Sequence, residues 1–341
     1  TAKVLSIRTY TDSEYTITVS KNRYVAVTNT FGWESTLHGS TLPKDITIEL
    51  QGPSNVEATP NQLFVGESTT ISWDNAGGGV TYNVYVDGVK HNTSEISTNS
   101  YTISNLSYNM NPGHVVGVTA VYAEGETSKS TVDVKVAGTF TLTVNVTNQQ
   151  GQPIQGATVN LDAQWALDEF NNSVAAEVDN ITDVNGQAVY QDMKLLYKST
   201  YNYYQVNVSK GVFRTTNRTI ANYETITNGE NYVLNIEMSL PAPGNVSATG
   251  GNSYDVEDDV ELTWEKPEGV TNEVLGYNIY KVEGGYGYGV SYTQLNGSLV
   301  TDLTYTVMNV ESGQYSLGVS AVYAEGESNV TTYYINVAGH A

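Results

Sequence analysis

The chain contains no cysteine. Disulfide staples and thiolate metal sites are therefore excluded. Basic residues are scarce: 15 Lys and Arg stand against 36 Asp and Glu, for a formal net charge of −21. Such a surface repels phosphate, so neither nucleic acid nor an anionic membrane surface is an expected partner. The acids are scattered and form no single block, which reads first as solubility; Ca²⁺ capture and salt adaptation are the sharper alternatives. Eighteen consecutive apolar residues occur nowhere, so no transmembrane helix and no membrane insertion are expected. The chain opens on Thr1 without a leader-like segment, as a processed or excerpted sequence does.

Reactive constellations are missing as well. The four histidines are His38, His91, His114 and His340; no two are spaced i, i+4, and there is no His-Glu-x-x-His motif. A Gly-x-Ser-x-Gly nucleophile elbow and a Walker loop are both absent. The Gly-rich stretches "GGGV" (77–80) and "GGYGYG" (284–289) do not lie between a strand and a helix, so they are not read as phosphate cradles. No catalytic and no cofactor-binding residue is nominated, and the chain is read as non-enzymatic. A remote exception would place Asp168 and Glu169 in chemistry without any His or Cys partner.

What is present points to strands. Length, 341 residues, suits about two to four domains. Apolar residues make up 39% and charged residues only 15%, and 26 Tyr accompany abundant Thr, Val, Asn, Ser and Gly. Tyr, Thr and Val favour strands; Asn and Gly favour turns. The expected class is all-β, a tandem of β-sandwich domains strung like beads.

The chain also repeats itself. "AVYAEGETS" at 120–128 returns as "AVYAEGES" at 321–328. Around it, "TISWDN" (70–75) answers "ELTWEK" (261–266), "TYNVYVDG" (81–88) answers "GYNIYKVEGG" (276–285), and "VAG" closes both copies. Residues 51–137 and 241–341 are thus two copies of one module, each read as seven short alternating strands. Trp73 and Trp264 are placed to plug the space between two sheets. Val116, Val118 and Ala120, and in the second copy Leu317, Val319 and Ala321, form one apolar strand face.

These residues resemble the fibronectin type III family: the Trp in the second strand and the Tyr-x-apolar-x-Val-x-Ala run are its marks. The resemblance implies an immunoglobulin-like sandwich in which Tyr315 is a tyrosine corner. His114 takes that position in the first copy, where it is expected to make one backbone hydrogen bond. The "AVYAEGES" wording also looks like modules of bacterial extracellular adhesins and proteases.

Residues 138–240 differ. "GQPIQGATVNL" follows a first strand through a tight turn, and "ITDVNGQAVYQDM" carries an Asp-x-Asn-Gly hairpin turn. This stretch resembles the carboxypeptidase regulatory-like, or transthyretin-like, sandwich. The insert 162–180 exceeds that pattern and is expected to form a short helix or flap. A related adhesin module makes Lys–Asn crosslinks, which need a Lys in the first strand; Thr139 to Val146 has none, so no crosslink is expected.

The first fifty residues echo this module: "EYTITVSKNRYVAV" (14–27) answers "YYQVNVSKGVFRTT" (203–216). Residues 1–50 therefore read as the second half of another transthyretin-like sandwich that needs completion. Upstream sequence, a strand from a neighbouring molecule, and a small separate unit are the three alternatives.

Binding candidates are few. Asp255, Glu257, Asp258 and Asp259 form an acidic stretch that either coordinates calcium, the one metal considered, or is a solvated loop. Tyr286, Tyr288 and Tyr292 lie in an expanded Gly-rich loop, either contacting a partner or sugar, or packing locally as a hairpin. Ten Asn-x-Ser/Thr sequons are glycosylation candidates: Asn92, Asn105, Asn145, Asn171, Asn180, Asn207, Asn217, Asn245, Asn296 and Asn329. Together these features suggest an extracellular, cell-surface or secreted, structural or adhesive protein: a segment of a filament, stalk or sheath. Its expected partners are copies of itself, further repeats of a longer chain, and glycans. The alternative is a set of accessory carbohydrate-binding modules of a secreted hydrolase.

Overall fold

A computed structural model describes residues 14–31, 45–175, 179–199, 201–221, 226–285 and 288–339. Among them every regular element is a β-strand. The chain divides into two compact units, Thr1–Thr139 and Phe140–Ala341.

In the first unit, two sheets enclose one core. Strands Ser54–Thr59, Ser68–Asp74 and Ser100–Ser104 form a three-stranded antiparallel sheet. Opposite stand Ser130–Ala137, Asn109–Tyr122, Thr81–Val86 and the short Val89–Lys90. Gln62–Phe64 adds to this sheet in parallel with Ser130–Ala137, a strand beyond the seven expected. Period-two patterning decides the faces. Ile71 and Trp73 point in from one sheet, Tyr82, Val84, Val116, Val118 and Ala120 from the other, all buried. Trp73 meets Tyr82 edge-on at 5.2 Å between ring centroids.

The same arrangement recurs in the second unit. Gly244–Ala248, Val260–Glu265 and Thr304–Val307 form one sheet; Thr331–Ala338, Gly313–Tyr323, Gly276–Gly285 and Tyr288–Gln294 form the other, with Ser253–Asp255 added in parallel. Trp264 meets Tyr277 edge-on at 5.3 Å, and Leu317, Val319 and Ala321 are buried.

Ahead of it lies a sandwich of different topology. Gln187–Lys194, Thr139–Asn148 and Asn231–Met238 make one sheet, the last two strands running parallel. Asn180–Ile181, Thr158–Asp162, Tyr203–Ser209 and Thr216–Ala221 make the other. The Asp-x-Asn-Gly turn exists as read: Asp183 Oδ1 accepts the N–H groups of Asn185 and Gln187, both at 2.9 Å. The hairpin does not, because Asn180–Ile181 and Gln187–Lys194 join different sheets. Gly186 is required there. Its φ is +72°, and a Cβ would sit 2.5 Å from the Val146 carbonyl oxygen.

Of the two forms expected for the insert at 162–180, a short helix or a flap, its described residues contain no helix. Asp168 is buried and its Oδ1 accepts Phe170 N–H at 2.9 Å and Asn172 N–H at 3.0 Å. Buried Asn202 holds the segment from below by donating to the Leu167 and Tyr197 carbonyls. From Phe140 to Val337 a single hydrophobic cluster runs through both sandwiches of this unit.

Strands Tyr15–Val19 and Val27–Phe31 pair antiparallel, as Tyr203–Ser209 and Thr216–Ala221 do. Val25 N–H donates to Glu49 O at 2.8 Å; Arg214 N–H donates to Ser239 O, also at 2.8 Å.

Candidate functional site

The repeated "AVYAEGE" forms a hairpin in each copy. Its first strand enters at Tyr122 or Tyr323, two residues turn, and Gly125–Glu126 or Gly326–Glu327 pairs back. This brings the glutamate over the outer face of the sheet. Glu126 Oε1 accepts Tyr85 Oη–H at 2.7 Å, Asn83 Nδ2–H at 3.1 Å and the Thr119 hydroxyl. Glu327 Oε1 accepts Tyr280 Oη–H at 2.6 Å, Asn278 Nδ2–H at 3.2 Å and the Ser320 hydroxyl. The donors occupy equivalent strand positions in both copies. Bonds to an ionised acceptor are the stronger kind.

The network extends inward. Asn92 is buried; its Oδ1 accepts Val84 N–H at 2.7 Å and its Nδ2 donates to Asn83 Oδ1 and Ser94 O. Asn296, also buried, accepts Ile279 N–H at 2.7 Å and donates to Tyr277 O, Asn278 Oδ1 and Ser298 O. Both asparagines were sequon candidates. Their amides lie inside the folded modules and hold backbone. Asn105, Asn171, Asn217, Asn245 and Asn329 are exposed, while Asn145, Asn180 and Asn207 are half-buried.

Ionisation follows the bonding. Burial works to raise the Glu126 carboxyl, but bonds from Thr119, Tyr85 and Asn83, with the charge of Lys90, hold it below its ordinary value. The bond to Glu126, with burial, raises the Tyr85 hydroxyl. Burial and the bond to Glu327 push Tyr280 up to about 12. A shallow depression of about 430 Å³ lies on the first network, lined by Tyr85, Thr119, Glu126, Thr127, Ser128 and Lys129. Its tyrosine is covered by Lys129 Nζ, 4.3 Å from the ring centroid.

The same hairpins close a joint to the preceding segment. Tyr122 Oη donates to Gln51 O at 2.8 Å and Ser130 Oγ to Pro53 O at 2.6 Å. In the second unit Tyr323 Oη donates to Pro241 O at 2.6 Å and Thr331 Oγ1 to Pro243 O at 2.7 Å. Burial, then the nearby Tyr277, pushes the Tyr323 hydroxyl up to about 12, so it remains a donor. Arg23 adds an ion pair to Glu124 at 3.4 Å in the first unit.

In the nominated acidic stretch two carboxylates are engaged by backbone. Asp258 Oδ2 accepts Asp255 N–H at 2.8 Å, and Asp259 Oδ1 accepts Asn309 N–H at 3.0 Å. Glu257 sits at φ +72°, in the turn itself. Among the described residues no three His, Asp or Glu side chains gather in a way that could hold a metal ion. The Asp258 carboxylate ties the turn, and that of Asp259 ties it to the neighbouring strand end.

The Tyr-rich stretch is not an open loop: Gly276–Gly285 and Tyr288–Gln294 zip into a long hairpin. Tyr286 lies outside the described residues. Tyr288 begins the return strand, paired with Gly285. Tyr292 is 55% exposed and stacks edge-on against Tyr280 at 6.2 Å.

At the corner positions, Tyr315 Oη donates to Glu311 O at 3.1 Å, as a tyrosine corner does. His114 makes the expected backbone bond, Nε2 to Ser107 O at 2.9 Å, and a second that was not expected, Nδ1 to Asp87 Oδ2 at 2.6 Å. His38 and His340 lie outside the described residues.

No family model matches the chain, and no curated protein matches it. Solved structures similar to it include a human domain, the fibronectin type-III domain of fibronectin type III domain containing protein 3. That domain is 28% identical, covering 29% of this chain and 88% of its own, with a TM-score of 0.22. The FN1-FN3 domains of chicken CNTN1 are 14% identical over 83% of this chain and 97% of theirs, with a TM-score of 0.21. A run of titin domains is 12% identical over 84% of this chain and all of its own, with a TM-score of 0.25. The paired sheets and corner residues described above make the sandwiches at 54–137 and 244–338 fibronectin type III-like, in tandem within an all-β chain.

Proposed function

We propose that the chain is a non-enzymatic structural or adhesive protein of the cell exterior, a subunit or segment of a filament, stalk or sheath built from repeated β-sandwiches. One observation carries this reading. The polar residues that chemistry would recruit brace neighbouring side chains, backbone and joints, and they do so in the same way in two copies: Glu126 and Glu327, Asn92 and Asn296, Tyr122 and Tyr323. Selection on a reactive centre would single out one copy; duplication of a bracing network suits a repeat that bears load. The partners are other copies or further repeats, with glycans on the exposed asparagines. Electron microscopy of the protein from its native source tests this. Regular fibres or a lattice are expected, and dispersed single particles overturn it.

A second reading has its own support. Tyr292 presents an exposed ring on the last module, braced by Tyr280, and such rings stack on sugars. The modules would then serve a secreted hydrolase as carbohydrate-binding accessories. Retention on insoluble polysaccharide, lost in Tyr292→Ala, is the result that reading requires.

A further inference from the structure

In each unit the segment entering a fibronectin-like module is held at two carbonyls, two residues apart. The acceptors are Gln51 O and Pro53 O in one, Pro241 O and Pro243 O in the other. Two such points fix the direction of an extended segment as well as its position. The donors come from different strands of the same module, Asn109–Tyr122 with Ser130–Ala137, and Gly313–Tyr323 with Thr331–Ala338. A rotation of the segment would therefore break at least one bond.

The segment is also clasped from its other side. Gln51 N–H donates to Arg23 O at 2.8 Å, and Arg214 N–H donates to Ser239 O at 2.8 Å. In the second unit Leu240 is buried, its Cδ1 lying against Gly326 of the hairpin. Proline at 53, 241 and 243 removes backbone donors and restricts φ, so the segment has little freedom of its own.

We propose that the "AVYAEGE" hairpin is a joint lock. Tyr323 with Thr331, and Tyr122 with Ser130, hold each fibronectin-like module at one orientation to the strands ahead of it, so the two move as one body. Sandwiches joined by a short linker reorient by default unless apolar surface is shared between them; in the second unit one apolar cluster runs through both, and the hydroxyl bonds add a fixed direction to that contact. This accounts for the return of the tyrosine, which meets a main-chain carbonyl whose geometry is the same whatever the side chains; the glutamate returns with the side-chain network of its own sheet. The proposal concerns the joint alone and stands or falls separately from the surface-protein reading.

The absence of cysteine makes the test clean. Spin labels at N217C and T304C, both exposed positions, report the distance between the two sandwiches of the second unit in the full chain by pulsed electron resonance. The parent pair should show one narrow distance peak. The double variant Y323F/T331V keeps ring and shape but loses both hydroxyls, and should widen the distribution about twofold or more. Y254F removes a hydroxyl that donates to Thr249 O and Gly251 O within the last module, and should leave the width unchanged. Trp264 fluorescence checks folding, and T331V alone serves if the double variant unfolds. A broad parent distribution, or hydroxyl-deleted variants as narrow as the parent, overturns the lock.

Discussion

Tyr280 gives its phenolic hydrogen to Glu327 across 2.6 Å, and the glutamate arrives there only because a two-residue turn folds it back onto the sheet. The same bond joins Tyr85 to Glu126 at 2.7 Å. Glu327→Ala strands three donors on a half-buried face, while Glu327→Gln keeps the shape and loses the charge. Thermal unfolding should show Gln costing about 1 kcal/mol and Ala about 2–3 kcal/mol. Equal, negligible losses would mean water replaces the carboxylate freely.

Asn296 accepts the buried Ile279 N–H at 2.7 Å. Asn296→Ala leaves that group unpaired, at an expected cost of about 1–3 kcal/mol in denaturant unfolding. Glycopeptide mass spectrometry of native material should find sugar among Asn105, Asn171, Asn217, Asn245 and Asn329, and none on Asn92 or Asn296. An occupied Asn296 would contradict the buried network.

Asp87 and His114 give the first module an acid-sensitive bond. Burial acts to raise the Asp87 carboxyl, yet the hydrogen bonds from His114 and from Val115 N–H and the charge of His114 outweigh it and hold it below its ordinary value. A folded value below the unfolded one stabilises above the unfolded pKa and is lost as pH falls through the folded pKa. The loss should therefore lie below about pH 4, read from Trp73 fluorescence in denaturant titrations at stepped pH. Asp87→Asn should flatten that part of the profile. An unchanged profile would remove Asp87 from the account.

Gly186 cannot take a side chain. Its φ of +72° and the 2.5 Å approach to Val146 O predict that Gly186→Ala costs more than about 2 kcal/mol, against under about 1 kcal/mol for the same change at an exposed, unstrained loop glycine. Calorimetry decides it.

Millimolar calcium should leave the melting temperature unmoved, because the Asp258 and Asp259 carboxylates already accept the N–H groups of Asp255 and Asn309. A calcium-dependent rise of several degrees that Asp258→Asn abolishes would restore a metal site.

Strand content, the two related modules and their buried faces were legible in the chain because they rest on local chemistry. Alternation at period two puts Val116, Val118 and Ala120 on one side of any strand, whatever that strand pairs with. Trp73 and Trp264 are too large and apolar to stay outside. The turn at Asp183 was legible for the same reason, as its side chain bonds backbone within four residues.

Pairing was not. Nothing local says that the strands flanking Asp183 part into different sheets, or that Thr139–Asn148 runs parallel to Asn231–Met238. Those choices depend on contacts across long sequence separations, where total burial rather than propensity decides. The network was hidden likewise. The sequon pattern at Asn92 and Asn296 is identical to that of an exposed acceptor, and the acidic run at 255–259 offers the kind of oxygens calcium takes, until the fold shows which backbone groups they face. One signal was available: both asparagines recur at the same place in the repeat, which a braced position explains.

The sequence alone determined that the chain is β, that it repeats, and which residues fill each core, since these follow from side-chain chemistry at fixed short spacing. Only the tertiary structure decided what the repeated octapeptide does. Tyr323 and Pro241 are 82 residues apart along the chain, and an oxygen on one becomes the partner of a hydroxyl on the other only when two sheets and a hairpin have closed around them.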